Sequence, residues 1–114
     1  MKKLDKNNWI KGTNYQKRIL LENVAEKINL IEDVVIPAGE KIPEHSHKFT
    51  NEIFYITEGS ANIIIKNKKF LVNPGDMIYV DKKEKHGFQN INKTKFKMIV
   101  FKINFKSGDS FIKN

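Results

Sequence analysis

Residues 39–59 read GEKIPEHSHKFTNEIFYITEG and combine two histidines, a glutamate and two bounding glycines. His45 and His47 are two residues apart, so an extended strand would point both imidazoles to one face. Glu52 falls out of phase with them, and only a bend at residues 48–51 would return it to that face on a neighbouring strand. Two imidazoles and a carboxylate that converge from adjacent strands suit a divalent transition metal.

The same stretch resembles the first sequence signature of the cupin family. Gly39, His45, His47, Glu52 and Gly59 are separated by five, one, four and six residues, which matches that signature without a gap. A random match to these five positions in a chain of this composition has a probability on the order of 10⁻⁵.

A second segment downstream resembles the second cupin signature. His86 follows Gly75 by eleven residues and Asn90 follows His86 by four, so all three histidines of the chain occupy signature positions. The family pattern expects proline and glycine where this chain has Asp81 and Lys83, a difference that bears on the shape of the loop before His86. The resemblance covers about residues 28–104.

Short apolar segments follow one another at near-regular spacing, and turn residues separate them. This pattern is typical of an all-β sandwich or barrel, and the cupin resemblance implies a double-stranded β-helix, or jelly-roll barrel. The predicted strands are 17–24, 27–36, 44–47, 52–58, 60–66, 69–72, 77–80, 86–91 and 95–105, with a short helix over 20–27 as an alternative at the first.

A chain of 114 residues predicts one domain. The prediction is a single domain over residues 1–114, with its core at about 28–104. Residues 1–16 form a polar N-terminal arm, and residues 106–114 form a polar tail that we expect to fray. The arm's larger apolar residues, which have no evident core role, are Trp9, Ile10 and Tyr15. Small cupins similar to this chain commonly dimerise, so the resemblance implies a homodimer.

The amino-acid composition indicates which classes of binding partner and which cellular compartment to expect. The net charge is +8, but the excess is scattered lysine with Arg18 the one arginine, which favours a solvated lysine surface over a nucleic-acid footprint. The absence of cysteine excludes disulfides and thiolate metal ligands. The opening residues lack the apolar run of a signal peptide, and no stretch reaches transmembrane length. We expect a cytoplasmic protein that binds neither nucleic acid nor membrane.

The resemblance implies one metal site formed by His45, His47, Glu52 and His86. Three imidazole nitrogens and one carboxylate oxygen suit one divalent transition metal, which could be Fe, Mn, Ni, Zn or Cu. Four protein ligands would leave about two positions open on an octahedral ion.

Other residues of these strands could line the site or stabilise the turns around it. Phe88 and Asn90 share the face of His86, and Phe54 and Ile56 share that of Glu52. Phe88 could wall the cavity and Asn90 could position a ligand or a water, with ordinary packing as the alternative for each, and Phe54 and Ile56 are further candidates for the cavity wall. The residues that we interpret as structural are Gly39, Gly59, Gly75 and Asp76.

The predicted function is a small metal-binding cupin acting on a small molecule. Cupins include enzymes and binding proteins, so the fold does not select an activity. A complete ligand set favours a metal-dependent enzyme of the dioxygenase or isomerase class. The alternative is a non-catalytic metal- or ligand-binding module or sensor, which the shortness of the chain favours.

Overall fold

The computed structural model describes residues 7–22 and 27–112, which form eleven β-strands and no helix. None of these described residues therefore belongs to a helix that could cross a membrane. The strands are β1 (Ile10–Lys11), β2 (Gln16–Glu22), β3 (Ile28–Ile36), β4 (Lys41–His47), β5 (Asn51–Glu58), β6 (Ala61–Ile65), β7 (Lys68–Val72), β8 (Met77–Val80), β9 (His86–Gln89), β10 (Phe96–Ile103) and β11 (Ser110–Ile112).

The strands form two antiparallel sheets. The first has six strands in the order β1-β2-β3-β10-β5-β8, and the second has five in the order β11-β4-β9-β6-β7. From β3 to β6 the chain alternates between the two sheets, as a jelly roll requires. The all-β, double-stranded β-helix prediction is confirmed. The helix proposed over 20–27 is a strand as far as Glu22, and residues 23–26 lie outside the described part.

Alternation along the strands builds the core between the sheets. In β3 the residues Leu30, Val34 and Ile36 are buried, and their neighbours in sequence are only half-buried. Phe96 and Met98 begin the equivalent inner face of β10. Each inner face also carries one charged residue, Glu32 on β3 and Lys102 on β10.

The described part of the N-terminal arm, residues 7–16, joins the edge of the first sheet through a hairpin of β1 and β2. The Trp9 ring covers the Arg18 guanidinium at 4.6 Å, and Arg18 donates to Asp33 at 3.1 Å. Tyr15 packs against the core, although no core role is evident for it from the sequence. That expectation is wrong because β2 pairs with β3 and brings Tyr15, the residue just before β2, against the core.

Residues Ser110–Ile112 of the C-terminal tail form strand β11, within the polar segment 106–114 that the sequence predicts to fray. β11 pairs with β4, opposite the histidines of the 39–59 stretch. Just before it, the buried Asp109 carboxylate accepts hydrogen bonds from the backbone amides of Lys48, Phe49 and Thr50 at 2.9–3.1 Å. The Thr50 hydroxyl also donates to it at 2.7 Å. The tail thus holds the bend between β4 and β5.

The outer face of the first sheet is apolar near β8. Tyr55 pairs with Met77 and Ile53 with Tyr79 across β5 and β8. Tyr55, Met77 and Tyr79 are exposed, with 65% of the Met77 surface accessible. Contiguous exposed apolar surface of this kind is characteristic of an interaction face.

Candidate metal centre

The fold brings together the four residues that the sequence singled out. His45 and His47 lie on β4, His86 begins β9 beside them, and Glu52 reaches across from β5 of the other sheet. One potential ligand atom from each residue lies within 4.8 Å of the others. His47, Glu52 and His86 are buried, and His45 is partly buried.

A β-bulge sets the position of His45. Ile42 pairs with Phe88 and His45 pairs with His86, so two residues of β4 face the single residue Gly87 of β9. A Cβ atom at Gly87 would lie 2.8 Å from the Ile42 carbonyl oxygen, so only glycine admits this close approach. The bulge turns His45 toward His86 and leaves their ring centroids 4.5 Å apart.

Backbone carbonyls select the tautomers of two histidines. The Nδ1 atoms of His45 and His86 lie 2.8 Å and 2.9 Å from the carbonyl oxygens of Pro43 and Glu84, two residues earlier in each case. A carbonyl accepts hydrogen bonds only, so each Nδ1 carries the proton and each neutral ring presents the Nε2 lone pair. Metal-bound histidines in proteins use the same arrangement.

Unpartnered buried atoms show that the cluster fits a cation. Glu52 Oε1 lies 2.8 Å from His47 Nε2 and 2.9 Å from His86 Nε2, yet all three atoms lack a hydrogen-bond partner among the described residues. With neutral His86 protonated at Nδ1, its Nε2 and the carboxylate oxygen are both acceptors and face each other without a proton. A cation that accepts both lone pairs resolves this contact, so the donor set fits a metal ion.

Burial and neighbouring charges keep two of the ligands in metal-binding form. Burial, followed by the proximity of His86, lowers the pKa of His45 to about 4, which leaves the ring neutral at neutral pH. Burial by itself would raise the pKa of Glu52. When His47 and His86 present an Nε2–H group to Glu52, those two hydrogen bonds and the positive charge of Lys102 outweigh burial and lower the Glu52 pKa, and a bound cation would take the place of the two protons.

A cavity of about 80 Å³ adjoins the cluster. Its wall includes the apolar side chains of Phe54 and Phe88. Both residues also belong to the hydrophobic core, so each one packs in the core and lines the cavity at the same time. Ile56 lies in the core and does not line the cavity. Asn90 does not position a ligand, because its amide group donates to backbone carbonyls and closes the turn after β9. The lining residues are Tyr15, Lys17, Glu32, Val34, Ile42, His45, Glu52, Phe54, His86, Phe88, Met98, Val100 and Lys102.

A row of alternating charges crosses the cavity wall on the first sheet. Lys102 stands directly opposite Glu52 in the β10–β5 register. Its ammonium group lies 3.1 Å from one oxygen of Glu32, and the Lys17 ammonium lies 3.2 Å from the other. The sequence analysis missed this row. The alternation of inner and outer residues along the strands could have indicated it. Glu32 lies two residues before Val34 on the inner face of β3, and Lys102 continues the apolar inner face of β10.

The loop before His86 forms a regular turn although Asp81 and Lys83 differ from the cupin pattern. Lys83, in place of the expected glycine, adopts the left-handed conformation with φ of 67°. Its amide donates to the His47 carbonyl, and the amide of Glu84 donates to the Asp81 carbonyl at 3.1 Å. The loop therefore keeps its turn with a lysine in a strained conformation.

The predicted structural turns are confirmed. Gly75 has a φ of 92°, and the amide of Asn73 donates to the Asp76 carboxylate at 2.8 Å. At Gly59 a Cβ atom would lie 2.5 Å from the Lys95 carbonyl oxygen, which excludes any side chain there.

The fold and site define a small antiparallel barrel with a buried cluster of three histidines and one glutamate beside a cavity. The Cupin domain family model matches residues 32–102, so the chain belongs to the cupin family. Tyr15 and Lys17, which also line the cavity, lie outside the matched range.

Three proteins are similar to this chain over different shares of its length. An uncharacterized protein of Methanocaldococcus jannaschii is 36% identical over 67 residues, 59% of this chain and 54% of that protein. Quercetin 2,3-dioxygenase of Bacillus subtilis is 30% identical over 53 residues, 46% of this chain and 16% of the enzyme. This chain therefore matches about half the length of the first relative and a small part of the second. The crystal structure of a predicted oxalate decarboxylase from Thermotoga maritima has a TM-score of 0.74 at 25% identity, covering 80% of this chain and 81% of that one.

Proposed function

We propose that this cupin is a metal-dependent enzyme acting on a small molecule, with His45, His47, Glu52 and His86 binding one divalent transition metal. The observation that carries the proposal is the convergence of buried donor atoms that lack partners among the described residues. Desolvating such atoms without compensation costs about 1–3 kcal/mol each, so a protein that retains them uses them.

The cavity beside the cluster supports catalysis over simple metal storage. Four protein ligands leave about two positions on an octahedral ion, and the cavity gives a small molecule access to them. A bound metal would supply Lewis-acid or redox chemistry there. The protein would exclude bulk water with its apolar wall and hold the substrate against its charged wall. The dioxygenase and isomerase classes use these features, and a relative named quercetin 2,3-dioxygenase is consistent with the first.

A non-catalytic binding module is the second candidate, and one observation favours it. The charged wall residues Lys17, Glu32 and Lys102 form ion pairs with one another. Among the described lining residues outside the metal cluster, Tyr15 is the one other side chain that carries a dissociable proton. A cavity with few groups to transfer protons suits a sensor or an accessory subunit as well as an enzyme.

Metal analysis tests the ligand assignment. We expect about one transition-metal ion per chain in the purified or reconstituted protein. The double variant His47→Ala/His86→Ala and the variant Glu52→Gln should lose most of it, because the remaining donors no longer surround the ion. Glu58→Gln is the matched control on the same strand, since Glu58 is exposed and distant from the cluster. Equal metal content in all four proteins would refute the assignment.

Turnover distinguishes the two candidate functions. Protein loaded separately with Fe, Mn, Ni, Zn or Cu is screened by thermal shift against sugars, keto acids, phenols and amino acids, and stabilising compounds are followed by product analysis and oxygen uptake. Product formed with oxygen consumption supports a dioxygenase, and product formed without it supports an isomerase. Stabilising ligands that none of the five metal forms converts would overturn the enzyme proposal in favour of the binding module.

A further inference from the structure

The cavity beside the metal cluster opens at one side of the barrel. Most of its lining residues are buried, and those that are partly exposed are Tyr15, Lys17, Ile42, His45 and Lys102. Tyr15 and Lys17 lie at the start of β2 in the first sheet, and Ile42 and His45 lie on β4 in the second. The Lys102 side chain is only 13% exposed and is paired with Glu32. The mouth of this metal-side cavity therefore lies between the start of β2 and β4.

Tyr15 also borders a second, larger cavity. This hairpin cavity is lined by residues 11–16 of the β1–β2 hairpin and by Pro37 and Glu40. Its volume is about 430 Å³, compared with about 80 Å³ for the metal-side cavity. Within the described ranges 7–22 and 27–112, Tyr15 is the one residue that lines both cavities. The Tyr15 side chain therefore lies between the two spaces.

Gly12 and the core hold the Tyr15 ring in this position. The Gly12 amide donates to the Tyr15 carbonyl at 2.9 Å, so the two residues face each other across the hairpin. A Cβ atom at Gly12 would overlap Cζ of Tyr15, so the hydroxyl end of the ring rests on the glycine. An aromatic ring over a glycine on the neighbouring strand also fixes strand register. The same side chain packs against the core, so the ring has contacts on both sides.

We propose that Tyr15 is a specificity-determining residue at the mouth of the metal-side cavity. Its ring admits molecules of a few heavy atoms to the metal and stops larger ones in the hairpin cavity. The inference rests on the proposed function, because it concerns access to the metal. Tyr15 lies outside the family match at residues 32–102, so the N-terminal arm of this chain supplies the size filter. Shortening the side chain should join the two cavities and leave the metal ligands in place.

Competition for the metal in Cu(II)-loaded protein tests the filter. Azide, a ligand of three atoms, gives a charge-transfer absorption band when it binds Cu(II), and a second ligand that displaces it abolishes the band. Imidazole and 4-phenylimidazole bring the same nitrogen donor to the ion and differ by one phenyl group. We expect imidazole to bind the parent protein at least about tenfold more tightly than 4-phenylimidazole, because the Tyr15 ring excludes the phenyl group.

Variants of Tyr15 separate the size filter from a packing role. In Tyr15→Ala the 4-phenylimidazole affinity should rise at least about fivefold, whereas the azide affinity should change less than about twofold. Tyr15→Leu retains more of the packing and should shift in the same direction even if Tyr15→Ala folds poorly. Tyr15→Phe keeps the ring and should discriminate like the parent protein. Tyr55→Ala is the matched control, because Tyr55 is exposed on the outer face of the first sheet.

The outcomes distinguish this inference from the proposed function. If Tyr15 only packs in the core, Tyr15→Ala and Tyr15→Leu lose stability but keep the parent's ratio of imidazole to 4-phenylimidazole affinity, and that result would overturn the inference. Equal binding of the two ligands by the parent protein, or a Cu(II)-loaded parent without an azide band, would overturn it as well. In each case a metal content that depends on His47 and His86 leaves the proposed function in place. Metal content unchanged in His47→Ala/His86→Ala would overturn both.

Discussion

Replacing Asp109 with alanine should weaken metal binding, although Asp109 is not one of the four proposed metal ligands. The Asp109 carboxylate accepts hydrogen bonds from three successive backbone amides and from the Thr50 hydroxyl. These donors form the bend between His47, the last residue of β4, and the strand that carries Glu52. Burial would raise the pKa of Asp109, but the bonds from Thr50 and the backbone amides outweigh it and lower that pKa.

The expected loss of stability follows from these contacts. Each hydrogen bond to a charged acceptor contributes about 1.5–3 kcal/mol, and neighbouring bonds to one carboxylate are not additive. Some amides freed by Asp109→Ala will reach water. We therefore expect the free energy of unfolding to fall by about 3 kcal/mol. The metal affinity should fall about 10- to 100-fold, as for other residues that orient metal ligands.

Urea unfolding of the metal-free protein and titration with Mn(II) measure the two effects. Thr50→Val removes one of these donors and should cost about 1.5 kcal/mol, the lower end of that range. Asp76→Ala is the matched control, because the Asp76 carboxylate accepts one exposed backbone amide, and its cost should stay below about 1 kcal/mol. A change under 1 kcal/mol in Asp109→Ala, with unaltered Mn(II) affinity, would refute the reasoning that the tail secures the site.

Three further predictions concern pH, the loop before His86 and self-association. Because the folded pKa of His45 is about 4, below its ordinary 6.5, the unfolded chain takes up a proton first. Metal-free protein should therefore lose up to about 3 kcal/mol of stability as the pH falls from 6.5 to 4, and His45→Gln should lose less in urea unfolding. Lys83→Gly should raise the free energy of unfolding by up to about 1 kcal/mol, since relief of the left-handed strain exceeds the entropic cost of glycine. We propose that a second copy covers the apolar outer face, so light scattering should report a homodimer that Met77→Lys/Tyr79→Lys converts to a monomer.

Each of these three predictions has a contrary result. An identical pH dependence for His45→Gln and the parent protein would remove His45 as its cause. A loss of stability in Lys83→Gly would show that the lysine side chain contributes more than its backbone costs. A parent protein that is monomeric at micromolar concentration would refute the dimer, whereas a dimer that persists in the charged double variant would move the interface elsewhere.

The parts that local pattern determines were predictable from sequence. Strands such as β3 and β10 alternate strongly between apolar and polar residues, and the histidines stand at fixed spacing, so both the barrel and the cluster could be anticipated. Glu52 required only a bend to bring it back to the site, and the structure supplies that bend.

The parts that depend on distant contacts were not predictable. Asp109 lies in a polar tail, and its importance comes from amides about 60 residues earlier in the chain. Tyr15 and Lys17 reach the cavity because β2 pairs with β3 and so extends the first sheet. Strand alternation places Glu32 and Lys102 on the inner face of the first sheet. The role of a charged residue there can be interpreted only when its partner on the next strand is known.

Anomalous X-ray diffraction from crystals of the metal-reconstituted protein, recorded on both sides of the metal's absorption edge, tests the central claim most directly. We predict one anomalous peak per chain, at about 2.0–2.3 Å from ring nitrogens of His45, His47 and His86 and from a carboxylate oxygen of Glu52. No peak at this cluster in protein that has taken up metal, or a peak bound by other residues, would contradict the account.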